Sequence, residues 1–117
     1  MNKRKLGKKY ENMACDYLKN NNYELLDINF QSNIGEIDIV AKDKTEDYLC
    51  FIEVKFRNGY DYGRAIEAVD DRKQQRIINT SKMYLLKNKI SFESNIRYDV
   101  ICFDDEEITY IKDAFME

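Results

Sequence analysis

The spacing of apolar residues changes along the chain, and each change predicts an element. From Leu6, the positions Tyr10, Met13, Ala14, Tyr17 and Leu18 recur at helical spacing until NNNY stops them, which predicts a first helix. YELLDINF reads as a strand, and GEIDIVAKDKTEDYLCFIEVKFR, from Gly35 to Arg57, as two further strands around the polar turn KDKTED. Asp70 or Asp71 can cap a long helix running to about Lys89, with Val69, Ile77, Ser81, Tyr84 and Leu85 near one face. NIRYDVICF and EITYI follow as strands. The resulting order, αβββαββ, predicts an α/β fold class with a mixed sheet flanked by helices. The chain has 117 residues, no proline and no repeat or low-complexity tract, so a single domain over 1–117 is expected.

The Gly35 to Arg57 hairpin fixes a register. Its turn centres near Thr45 and Glu46, so symmetric pairing sets Ile37 against Val54, Ile39 against Ile52 and Ala41 against Cys50, an apolar face throughout. On the other face Val40 meets Phe51, Asp38 meets Glu53 and Glu36 meets Lys55. Side chains directly opposed in an antiparallel pair lie ~5 Å apart, and like charges there destabilise by up to ~1 kcal/mol. A divalent cation between Asp38 and Glu53 turns that repulsion into coordination, and carboxylate-only ligation selects Mg²⁺ or Mn²⁺. Lys55 projects to the same face and can stabilise charge on a phosphate. The plain alternative is a surface patch in which Lys55 and Glu36 pair weakly and Asp38 meets solvent. Glu11, at the edge of the first helix's packing face, can reach the sheet rim or serve as a helical partner for Lys8.

Composition narrows the chemistry further. The chain contains no histidine, which removes Ser-His-Asp and Cys-His catalysis and histidine-based zinc hydrolysis. Cys15, Cys50 and Cys102 are widely spaced, which suits buried small apolar residues better than disulfides or a zinc site. No window approaches the ~20 apolar residues of a membrane span, and no apolar stretch follows the basic start, so a cytoplasmic protein without membrane association is expected. Net charge is −3, but it is unevenly distributed: residues 1–9 carry five basic and no acidic side chains, residues 72–89 six basic and no acidic ones, and residues 104–117 six acidic ones against Lys112. The basic segments can form a nucleic-acid face or simply solvated helix surfaces.

Asp38 followed by Glu53-x-Lys55 in IEVKFR, with a helix bearing Glu11 before them and a long basic helix after, resembles the PD-(D/E)xK nuclease superfamily, although Ile37 stands where its name has proline. GEIDIVAKD, LCFIEVKFRNGYDYGRAIEAVDDRKQQRIINTSKMYL and RYDVICF resemble the YraN family of uncharacterised bacterial proteins over nearly the whole chain. The resemblance implies a restriction-endonuclease-like core similar to Holliday-junction resolvases. In it Glu11, Asp38, Glu53 and Lys55 are catalytic, and Asp38 and Glu53 hold Mg²⁺ or Mn²⁺ that polarises the scissile phosphate and acidifies water. Arg57, Lys73 and Arg76 are candidate phosphate contacts. The expected function is metal-dependent hydrolysis of DNA, including branched DNA bound by a homodimer. The alternative is a non-catalytic module that binds nucleic acid or protein on the same fold.

Overall fold

In the computed structural model, which describes residues 2–57, 69–105 and 107–117, two helices flank one five-stranded mixed sheet. The elements are α1 (Lys3–Asn20), β1 (Tyr23–Ser32), β2 (Gly35–Asp43), β3 (Tyr48–Arg57), α2 (Asp71–Lys87), β4 (Ile96–Asp104) and β5 (Glu107–Phe115). Spatial order follows chain order, β1-β2-β3-β4-β5, and every neighbouring pair is antiparallel except β3 with β4. That parallel step follows from topology: the chain leaves the end of β3 and returns through α2 to the start of β4, a connection that parallel pairing requires.

Both helices begin on capping side chains. Asn2 accepts the Lys5 amide, and Asp70 accepts the Lys73 amide, each satisfying a backbone donor that the first helical turn leaves unpaired. α1 packs Tyr10, Ala14 and Leu18 onto Ile39, Ala41, Ile52, Ile101 and Phe103. α2 packs Ile77, Ile78, Tyr84 and Leu85 onto the opposite face, against Val40, Phe51 and Val100. Leu18, Phe51 and Phe103 have no residual exposure, so each contributes roughly 2–3 kcal/mol of transfer free energy to holding its layer. Cys15, Cys50 and Cys102 are buried free thiols, as their spacing suggested. No helix among the described residues is long and apolar enough to cross a membrane.

The β2–β3 register agrees with the symmetric expectation from Asp43↔Tyr48 to Ile39↔Ile52, and there it stops. The expected pairs of Ile37 with Val54, Asp38 with Glu53 and Glu36 with Lys55 do not form as ladder partners. Beyond this point β2 stays with β1, through Ile37↔Phe30 and Glu36↔Gln31, while β3 stays with β4, through Glu53↔Val100 to Arg57↔Asp104. Strict alternation also breaks at Asp38. Ile37 joins Val40 in the α2-side core instead of following Ile39 and Ala41 to the α1 side. The sheet is therefore forked, with its two halves parting at Asp38 and Glu53.

The opposite end of β2 is closed by a buried ionic clamp. Arg97, 4% exposed, donates from Nε to Asp99 (2.9 Å), from Nη1 to Asp43 (2.9 Å) and Glu46 (2.8 Å), and from Nη2 to the Tyr23 hydroxyl (2.8 Å). A guanidinium has five N–H donors in a planar fork, and this arrangement ties together β1, β2, the β2–β3 turn and β4. Asp43 also accepts the Thr45 and Glu46 amides, which shapes the turn, and its carboxyl lies below the usual range because these bonds and Arg97 outweigh desolvation. The sequence reading assigned no role to Arg97 or Asp99. Their signal was two opposite charges at alternate positions of an otherwise apolar strand.

Candidate active site

Where the sheet forks, a cleft of about 710 Å³ opens, with α1 on one side and the start of α2 on the other. Asp38 forms its floor. Because β2 no longer offers a backbone carbonyl in register, the Val54 N–H donates instead to Asp38 Oδ2 at 2.8 Å, so the carboxylate takes the place of a ladder acceptor. Glu53, only 6% exposed, lines the same cleft and receives two ammonium groups at Oε1: Lys73 Nζ at 2.9 Å and Lys55 Nζ at 3.5 Å. Lys55 thus pairs with Glu53 on its own strand, not with Glu36 across the hairpin.

Electrostatics follow from crowding these charges into a partly dry space. Burial pushes the Asp38 carboxyl up to about 7, the neighbouring Glu53 charge adds to the rise, and the Val54 N–H and Lys73 pull against it. Burial, together with the adjacent Lys73 ammonium, lowers the Lys55 pKa, opposed by Glu53 and Asp38. Lys73 moves the other way: desolvation disfavours its charge, but its ion pair with Glu53 and the fields of Glu53 and Asp38 outweigh that.

Glu11 reaches the cleft from α1 and accepts a hydrogen bond from the Asn29 carboxamide at 3.0 Å; among the described residues it forms no ion pair with Lys8. The structure therefore gathers Glu11, Asp38, Glu53, Lys55 and Lys73 about one space. Lys73 lines this cleft and is paired with Glu53. Arg76 lies beside it, lining a smaller adjoining pocket with Gly35 and Glu36. Arg57 stands apart. Its guanidinium makes a bidentate pair with Asp104, at 2.9 Å from both Nε and Nη2, across the parallel β3–β4 step, and it is not among the cleft-lining residues.

Sequence reasoning missed three contributors. Arg4 and Lys8 line the cleft with Gly7 and Glu11, and the spacing 4, 7, 8, 11 is itself a helical stripe that could have placed all four on one face of α1. Asn29 had no sequence signal, because its place in the cleft goes with a left-handed backbone, φ 57°, inside β1.

Residues 10–103 match the uncharacterised protein family UPF0102. The chain belongs to that family. A UPF0102 protein of Lachnoclostridium phytofermentans is 43% identical over 115 residues, covering 98% of this chain and 96% of its own. One from Acetivibrio thermocellus is 44% identical, covering 97% of this chain and 93% of its own, and one from Clostridium botulinum is 47% identical over 91 residues. The YraN-like resemblance read from the sequence agrees with this membership. Part of the motif that carried it, residues 58–68, lies outside the described residues.

The donor set of the UPF0102 cleft fits a hard divalent cation. Among the described residues no three His, Cys, Asp or Glu side chains converge as a ready ligand cage. Mg²⁺, however, is commonly held by one or two carboxylates, with waters and substrate phosphates completing its shell. Asp38 Oδ1 and Glu53 Oε2 accept no hydrogen bond from the described residues, which leaves one oxygen of each carboxylate uncommitted. A half-buried and a buried carboxylate, one with its pKa raised by desolvation and by the charge of the other, in a cleft lined by no histidine or thiol, suit Mg²⁺ or Mn²⁺ and not a softer metal.

Proposed function

We propose that this UPF0102 protein is a metal-dependent nuclease that hydrolyses DNA phosphodiester bonds at the fork of its sheet, with Asp38 and Glu53 as the metal-holding pair. The reading rests chiefly on one observation: two carboxylates and two lysines from three elements meet in a cleft that the sheet opens by breaking its own ladder. The matching order of Asp38, Glu53 and Lys55 supports placing the chain near the PD-(D/E)xK nucleases and their restriction-endonuclease-like core. The likeness to Holliday-junction resolvases that the sequence resemblance implies leads us to propose branched DNA as substrate and a homodimer as the working form.

A bound Mg²⁺ or Mn²⁺ supplies Lewis-acid polarisation of the phosphate and makes water a stronger acid. The remaining work falls to the chain itself. Lys55, held beside Glu53, sets a positive charge against the phosphate as negative charge develops on it. Asp38 is fixed by the Val54 amide, so its orientation is established before any ligand arrives. Arg4 and Lys8 on α1 are placed to contact flanking phosphates, and Arg76 extends that basic surface on the α2 side.

The Lys73–Glu53 ion pair favours a second reading, a binding module, because it already neutralises Glu53 without any metal. A cleavage assay separates the two. With Mg²⁺, wild-type protein should cut a four-way or forked DNA, Asp38→Asn and Glu53→Gln should be inactive, and Lys55→Ala should bind metal but cut at least 100-fold more slowly, as expected on removing a charge-stabilising donor. Equal rates in wild type and all three variants trace the activity to a contaminant. No cleavage of any DNA by wild type, with salt-sensitive binding retained, supports the module.

A further inference from the structure

We propose that Asn29 is a positioning residue, holding Glu11 in the cleft so that the contribution of Glu11 to cation binding depends on the Asn29 carboxamide. The proposal rests on the cleft being a cation site. β1 pairs with β2 through Ile28↔Ile39 and Phe30↔Ile37, which sets Asn29 at the register position opposite Asp38, where no ladder pair forms. Its φ is 57°, a left-handed conformation inside a strand. Residues with a bulky Cβ environment avoid this region, whereas Gly enters it freely and Asn or Asp tolerate it.

The side chain then decides among those three. The Asn29 amide nitrogen donates to Glu11 Oε1 at 3.0 Å, the one hydrogen bond that Glu11 makes with its side chain among the described residues. Gly has no donor to offer, and an Asp carboxylate would repel Glu11. Asn alone combines a permitted backbone with an N–H₂ group, and both residues line the cleft that holds Asp38. The bond is exposed, so as a plain clamp between α1 and β1 it would do little. Its placement in the cleft that also holds Asp38 and Glu53 gives it a different use: it fixes the orientation of a third carboxylate, from another element, that acts on a cation there through its water shell.

The test measures Mn²⁺ affinity without nucleic acid for full-length wild type, Asn29→Gly, Glu11→Gln and the double variant, alongside thermal midpoints. Asn29→Gly keeps the left-handed backbone and removes only the donor. It should weaken Mn²⁺ binding on the order of 10-fold, as loss of an orienting partner typically does. Glu11→Gln should weaken it equally, the double variant no further, and Asn29→Gly should melt within a few degrees of wild type. Asn29→Gly binding Mn²⁺ as wild type does, or the two losses multiplying in the double variant, overturns the inference alone. Wild type binding no Mn²⁺ overturns it together with the proposed function. If Asn29→Gly does not fold, the side-chain amide NMR signal of Asn29 carries the test: it should shift when Mg²⁺ is added to wild type and not to Glu11→Gln, and an unresponsive signal in wild type overturns the inference.

Discussion

Asp38 carries two demands on one side chain: it replaces a missing ladder acceptor for Val54, and it holds a negative charge beside Glu53. The second demand predicts a specific pH dependence. Its folded-state pKa is about 7, above the ~3.9 of an unfolded aspartate, so between those values the native state binds more protons than the unfolded one. The associated stability is present below pH 4 and is lost as pH rises through about 7, with a slope of up to ~1.4 kcal/mol per pH unit from this group. Urea unfolding of metal-free protein from pH 4.5 to 8 should show this loss. Asp38→Asn keeps an acceptor for Val54 and removes the charge, so it should flatten the slope and exceed wild-type stability at pH 8. A wild-type slope unchanged by Asp38→Asn would contradict the buried, mutually repelling pair.

At the scale of elements, β2 and α2 approach closely at Gly35. A Cβ at Gly35 would lie 2.8 Å from Thr80 Oγ1 and 2.9 Å from Arg76 Cγ, and Thr80 is fully buried. Gly35→Ala should therefore displace the middle of α2 and destabilise by about 1–3 kcal/mol, read as a lower urea midpoint at unchanged m-value. Such local causes set what the sequence could reveal. Helical periodicity and the Asp70 cap located both helices, and the polar turn located the β2–β3 register near it, because these signals are short-range. The fork was not legible. Ile37 reads as a continuation of the alternation through Ile39, and only the competing hold of β1 on β2 and β4 on β3 turns it to the other face. Lys73 and Arg57 show a similar limit: a basic residue looks the same in sequence whether it meets a phosphate, Glu53 or Asp104.

For the whole molecule, rigidity and charge are arranged along the strands. The Arg97 clamp fixes one end of β2, and the fork opens at the other, where Arg4, Lys8, Lys55 and Lys73 are set among Glu11, Glu36, Asp38 and Glu53 within a chain of net charge −3. Nucleic-acid binding should therefore be local and steeply salt-dependent, each phosphate contact contributing ~0.9 to the log-log slope. Lys8→Ala should lower that slope by about one contact on junction and duplex DNA alike, measured by salt titration, with light scattering reporting a dimer. A monomer without junction preference would discard the resolvase-like version and leave the cation site standing. That site is tested most directly by an anomalous difference map from a crystal of the protein soaked in Mn²⁺. A single strong peak is expected between the Asp38 and Glu53 carboxylates, with Lys73 withdrawn from Glu53; an empty cleft with the Lys73–Glu53 pair intact would contradict a cation site there.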